Sequence, residues 1–430
     1  MKKFLVIVLC LVILLSGFTV DFHPANAAVI SSDPRGVVFY DDQKGNDALD
    51  YIKTTTQDDS FKKIRKFVDL GFIKLQTNKL NQSIVKDNLD SNDSLTIPVE
   101  SLRGNMGLRE NVKDVLNNGN TVYLYGDQIT LMEYEQLLGI TGKLYIPDGR
   151  IQEFKTQSTG TPQLGLANKE AFNVIGYNLN GDVFLATTPS ENNGIRGSES
   201  MYFRAILDNQ IKILERQRPK QTNVSFLGIK MPFVLIENTA SAASTSVTST
   251  FDRNTYVYDD NGTTVGLLNT DWFLYREYNE SDATYDWFTV ETNYEATGYN
   301  GYNPYEMNIK HNLPYSPDGI YDWKPGDTSS QSAFTIAIPW SIEYQFSTSS
   351  SIAVNEQGSQ TYDYGAWVVS HTWNTSHLPN PVRFKPATAW LSTGTLAAID
   401  SDITISFSYD YTEGSFIHAN NQLLSIRYDY

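Results

Sequence analysis

Apolar residues recur three and four apart in "DDSFKKIRKFVDLG", where Phe61, Ile64, Phe67 and Val68 share one helical face. Asp58 or Asp59 is placed to cap that helix and Gly71 to stop it. "LRENVKDVLNNG" repeats the pattern with Leu108, Val112, Val115 and Leu116 and ends at Gly119. Thr130 and Glu133 form a capping box for a third helix that closes at Gly139. The apolar runs "TVYLYG" (121–126) and "KLYI" (143–146) read as buried strands. Helix, strand, helix, strand with short connections predicts a βαβ unit and at least two parallel strands. "FNVIGYNLNGDVFLATT" predicts a hairpin turning at Asn180-Gly181, and "SESMYFRAILDNQIKILE" another helix.

Beyond residue 250 the period changes to two. Short alternating runs such as "NTYVYDD", "DWFTVETNY", "DYGAWVVSHTW" and "DITISFSYDY" are punctuated by turns such as Asp260-Asn261-Gly262. This predicts an antiparallel β-sandwich or jelly roll. Residues 299–327, rich in Pro, Gly and Asn, read as a long ordered loop, where binding residues tend to sit. Between the two patterns lies "TASAASTSVTST" (239–250), uncharged and without a large side chain, which reads as a linker. Its weak alternation also suits an exposed strand.

Composition sharpens the division. Residues 28–250 carry 24 Lys+Arg and 26 Asp+Glu, whereas 251–430 carry 7 and 22. All seven Trp and 18 of the 26 Tyr lie after 250, as do His311, His371, His377 and His418. The expected domains are therefore an α/β domain at 28–238, the linker at 239–250, and an acidic, aromatic β-sandwich at 251–430. The first 27 residues read as a secretory signal: Lys2 and Lys3, an apolar run, then Ala25-Asn26-Ala27 as a cleavage site. The apolar run is short for a membrane span, so an extracellular chain without a stable span is expected. Cys10, the only cysteine, falls inside that signal, which leaves a mature chain without thiols or disulfides.

Chemistry is thinly marked. There is no H-E-x-x-H, G-x-S-x-G, P-loop or G-x-G-x-x-G pattern. A Ser-His-Asp arrangement would have to draw on the four late histidines. His371 and His377, six apart, would lie on one face of a strand about 20 Å apart unless a turn joins them. Gly126-Asp127 falls at the end of a predicted parallel strand, the edge where open α/β sheets place ligands. The acid excess after 250 repels nucleic acid and anionic lipid and suits cations. No cofactor is required, but calcium is compatible, with Asp318 and Asp322 in "SPDGIYD" as candidate ligands.

The strongest candidate is aromatic. Tyr299, Tyr302, Tyr305, Tyr315, Tyr321 and Trp323 crowd one predicted loop, and exposed Tyr and Trp supply rigid contact area for protein or sugar. The expectation is a non-catalytic protein that binds an extracellular glycan or protein through these loops. Two alternatives come from other classes. One is a hydrolase without a catalogued motif. The other is a β-pore-forming protein, suggested by the alternation of apolar and Ser/Thr residues over 333–356.

Overall fold

The computed structural model describes Pro34–Tyr430 except for residues 55–57, 78–88, 141, 147–162, 168, 189–197, 218–220, 227–228, 235–243, 247–250, 278–283, 327–332, 338–340, 346–350, 374–375, 411–415 and 420–421. The signal segment and Trp340 lie outside the described residues. Elements run in chain order as β1 (Arg35–Phe39), α1 (Asp42–Thr54), α2 (Lys62–Asp69), β2 (Ile73–Thr77), β3 (Ser94–Pro98), α3 (Val99–Arg103), α4 (Met106–Asn117), β4 (Thr121–Ile129), α5 (Leu131–Leu138), β5 (Gln163–Leu166), β6 (Phe172–Tyr177), β7 (Val183–Thr187), α6 (Ser198–Gln217), β8 (Gln221–Phe226), β9 (Ile229–Val234) and β10 (Ser244–Ser246). Strands then dominate: β11 (Phe251–Tyr258), β12 (Thr264–Glu277), β13 (Asp286–Gly298), β14 (Asn303–Asn312), β15 (Asp318–Lys324), β16 (Ala333–Ala337), β17 (Ser341–Gln345), β18 (Ile352–Glu356), β19 (Tyr364–His371), β20 (Val382–Phe384), β21 (Ala387–Ser392), β22 (Leu396–Ser408), β23 (Phe416–His418) and β24 (Gln422–Asp429).

The helices begin and end where local chemistry dictates. Asp58 accepts the Ser60 amide ahead of α2, and Gly71 follows it at φ +73°. Asn105 caps α4 through Leu108 N, and Gly119 adopts φ +90° just past its end. Thr130 accepts Glu133 N at the start of α5, while the Glu133 carboxylate turns to Arg103. Only half of the expected capping box therefore forms.

The strands build a mixed sheet and a second, antiparallel one. The mixed sheet runs β15-β21-β13-β12-β11-β7-β6-β4-β3-β1-β2, with β10 added to β12 and β20 to β13. Pairing is parallel from β2 through β1 and β3 to β4, and again between β7 and β11. "KLYI" is not a strand here; Tyr145 makes a single bridge to Leu166. The parallel neighbour of β4 is β3, reached through α3 and α4. The hairpin over Asn180-Gly181 forms as β6–β7, with Gly181 at φ +89°. The second sheet runs β18-β19-β14-β22-β24-β5 with β23 on β22.

Alternation assigns the faces. Along β4, Val122 and Leu124 join the cluster with Leu108, Val112 and Tyr134, while Tyr123 and Tyr125 face Phe203 and Ile206 of α6. The first of these clusters extends into the strands after 250, where it takes in Phe251, Trp272, Trp390 and Ile426. A second inter-sheet cluster holds Met307, Ile309, Trp367, Phe384 and Phe407.

The expected division into an α/β core and an independent sandwich core is not confirmed by this arrangement. Val183 pairs with Phe251 in the β7–β11 ladder, and Gln163 with Asp429 in the β5–β24 ladder, so each half supplies strands to the other's sheet. Pro34–Tyr430 forms one compact unit. The physical reason is edge closure: β7 and β24 would each present unpaired backbone groups if the halves were separate. Within 239–250, Ser244–Ser246 is the edge strand β10 on β12, and the rest lies outside the described residues. The predicted loop at 299–327 is corrected. It is two strands, β14 and β15, joined by a short turn, and it looked loop-like because Asn303 and Asn312 end β14, Asn308 is exposed within it, and Pro314 and Pro317 lie in the turn between the strands.

Candidate functional site

The six aromatic candidates do not form one surface. Tyr299 lies over Arg204, with the guanidinium 5.3 Å from its ring, and burial pushes its hydroxyl up to about 12. Tyr315 packs on Arg427, and Tyr321 meets Trp287 edge-on at 5.0 Å. The Trp323 indole donates to Glu356 Oε1 at 2.6 Å. Of the six, only Tyr321 is exposed. Tyr302 and Tyr305 sit elsewhere, at the start of β14.

That end of the second sheet gathers aromatic residues from four segments. The β14–β22 ladder sets Asn303 against Ser408, which brings Tyr302 within 5.5 Å of Tyr409. The β22–β23 ladder sets Ser408 against Phe416, whose ring stands 4.6 Å from Tyr305. His377 meets Tyr305 edge-on at 6.5 Å, and Trp373 follows β19 with His371 at 6.3 Å. Trp373 is 72 % exposed and Tyr409 62 %. Such rings present apolar faces to water at low rotameric cost, the usual composition of a contact surface. Sequence reasoning passed over Trp373, Tyr409 and Phe416 because they belong to three separated segments that only the β-ladders bring together.

The histidines occupy unlike settings. His371 Nδ1 accepts the Trp373 amide at 3.0 Å, and partial burial lowers the His377 pKa. Among the described residues no group of three or more His, Cys, Asp or Glu is placed to hold a metal. His418 Nδ1 lies 2.7 Å from Ser406 Oγ, directly opposite on the β22–β23 ladder. No carboxylate is hydrogen-bonded to His418 among the described residues, so the pair is an ordinary cross-strand contact. His311 is fully buried between the sheets: Thr292 Oγ1 and Tyr294 OH lie 2.9 and 3.1 Å from Nε2, and Thr388 Oγ1 lies 2.9 Å from Nδ1. Burial lowers its pKa to about 3.

The candidate calcium ligands are not brought together. Asp318 is buried and accepts the Ala398 amide at 2.9 Å, and burial pushes its carboxyl up to about 7. Asp322 pairs with Lys324 at 2.8 Å. The β15–β21 register sets Asp318 opposite Ser392 and Asp322 opposite Ala389, about 10 Å along the sheet. At the parallel edge, Asp127 is exposed and accepts the Tyr202 hydroxyl of α6 at 2.5 Å.

One polar feature went unread in the sequence. Arg204, Asp208, Lys212 and Arg216 are spaced four apart and so form one stripe along α6. The stripe faces β11 and β12: Lys212 reaches Asp252 at 2.7 Å and also bonds Asp271, and Arg216 takes Asp252 through two nitrogens. Burial opposes charge on Asp252, but Lys212 and Arg216 outweigh it and hold its pKa below the usual carboxylate range. Burial and the neighbouring Asp252 push Asp271 upward.

No family model matches the chain, and no curated protein matches it in sequence. Among solved structures, Clostridium perfringens delta-toxin overlaps 44 % of this chain and 93 % of its own at TM-score 0.25 and 6 % identity. A structure titled pore forming protein overlaps 41 % of this chain and 88 % of its own at TM-score 0.22 and 8 % identity. Overlaps at these scores decide neither fold nor action for this chain.

Proposed function

We propose that this chain is an exported, non-catalytic recognition protein that binds a glycan or protein at or outside the cell surface. The supporting observation is the aromatic end of the second sheet, where exposed Tyr409 stands beside Tyr302, Phe416 beside Tyr305, and exposed Trp373 follows the end of β19. Flat rings exposed at strand ends suit stacking against sugar or side-chain faces. The net charge of −16 disfavours nucleic acid as the partner. The test uses the full mature chain against glycan arrays and intact cells, with Trp373→Ala and Tyr409→Ala as variants. Binding by the parent that falls at least tenfold in both variants supports the reading. Equal binding by all three proteins, or none by the parent, defeats it.

A second reading rests on a different observation. β16 and β17 pair only with each other among the described residues, with Phe334 opposite Tyr344 and Ile336 opposite Ile342. Positions 334, 336, 342 and 344 therefore share one face of this strand pair. Antiparallel strand pairs are the unit from which membrane β-barrels are built. No helix among the described residues is long and apolar enough to cross a membrane. Under this reading the chain inserts the strand pair as part of an oligomeric barrel. Dye release from liposomes by the parent, abolished by Ile336→Asp, would favour it, and intact liposomes would remove it.

A further inference from the structure

Helix α6 leaves a cavity of about 190 Å³ between its C-terminal half and the sheet. Thr121, Tyr123, Asn178, Asp182, Asn209 and Arg216 supply its polar wall, and Val183, Phe184 and Ile213 its apolar one. It lies on the mixed sheet, whereas the aromatic end belongs to the second sheet.

The polar wall is built but incomplete. Asn209 Nδ2 and Gln210 Nε2 both donate to the Tyr123 hydroxyl at 2.7 Å, and Gln210 Oε1 accepts from Arg35 Nε at 2.6 Å. Asn209 is 4 % exposed, and its Oδ1 has no hydrogen-bond partner among the described residues. Turning the amide over lets Tyr123 donate to the oxygen and leaves the nitrogen free instead. In either orientation one buried amide atom of this cavity-lining residue is unsatisfied.

The charges select the ligand class. Asp182 and Asp252 at the wall repel an anion, although Arg216 is present, because Arg216 is already committed to Asp252. A cation meets Arg216, with Lys212 behind it on the same aspartate. A neutral molecule with several hydroxyls and one apolar face meets no such penalty: its hydroxyls can both donate and accept, and Phe184 and Ile213 can cover its C–H face. The volume is below the roughly 300 Å³ at which pockets for drug-sized ligands begin, which limits the ligand to about one ring. We infer that the cavity between α6 and strands β4, β6 and β7 binds a single neutral sugar ring. This goes beyond the surface recognition proposed above and involves none of its residues.

The experiment is saturation-transfer NMR on the full mature chain with glucose, galactose and N-acetylglucosamine, using phosphate and choline as charged competitors. Ile213→Trp fills the cavity from the helix. Asn209→Leu removes the unsatisfied amide and serves if the larger substitution does not fold; thermal melts identify a folded variant. Trp373→Ala reports on the aromatic end. The expected result is binding of at least one sugar, on the order of millimolar, lost at least tenfold in each folded cavity variant and kept in Trp373→Ala. The inference is overturned if no sugar binds the parent, if binding survives the cavity variants, if phosphate or choline competes, or if Trp373→Ala alone removes the signal.

Discussion

His311 gives the sharpest energetic prediction. Its imidazole is fully buried among Thr292, Tyr294, Thr388 and the edge of Trp367, and none of these neighbours offers a negative charge. Its folded pKa of about 3 lies below the ordinary histidine value of 6.5, so between those values the unfolded chain binds the proton and the folded chain does not. Stability therefore rises with pH across that window and is lost as pH falls below about 6.5, by up to about 1.4 kcal/mol per unit. At pH 5 the loss from this residue is about 2 kcal/mol. Glutamine at this position keeps donor and acceptor capacity without titrating. His311→Gln should be less stable than the parent at pH 7 by about 1–3 kcal/mol, from lost packing and imperfect hydrogen bonds. That deficit should shrink by about 2 kcal/mol at pH 5. Urea unfolding of both proteins at pH 5, 6, 7 and 8 reads the difference. A deficit that stays constant across the series would refute the argument, as would an imidazole that titrates near 6.5 by NMR.

Asp318 should act with the opposite sign: burial keeps its proton to about pH 7, so stability declines as pH rises from about 4 toward 7. Asp318→Asn should therefore melt higher than the parent at pH 8 and no higher at pH 4.5, which thermal scans at both values check. Because Asp318 and Asp322 stand apart and Asp322 is held by Lys324, any shift of the thermal midpoint by calcium against a chelator should survive Asp322→Asn. Arg204 is wholly buried, bonds Thr264 at 2.9 Å and stacks on Phe61, Tyr256 and Tyr299. Arg204→Ala, which removes the cation paired with Asp208 and empties the space between the rings, should cost roughly 3–5 kcal/mol in urea unfolding. Thr130→Ala, which removes the bond to Glu133 N at the start of α5, should cost only about 1 kcal/mol in the same assay.

The sequence by itself determined the short-range features. The caps at Asp58 and Thr130, the stops at Gly71, Gly119 and Gly139, and the turn at Asn180-Gly181 follow from side-chain reach and backbone sterics within a few residues. The period-two runs after 250 likewise announced strands. Tertiary structure decided the rest, because strand pairing joins residues that no local pattern connects. The composition step at 250 is real, yet Val183 pairs with Phe251 across it and Gln163 with Asp429, since a sheet edge closes on whichever strand reaches it. The same ladders scattered Tyr299, Tyr315, Tyr321 and Trp323 and gathered Tyr302, Tyr305, Trp373, Tyr409 and Phe416 at one end. Periodicity tells which way a side chain points from its strand; only the order of the strands tells what it meets.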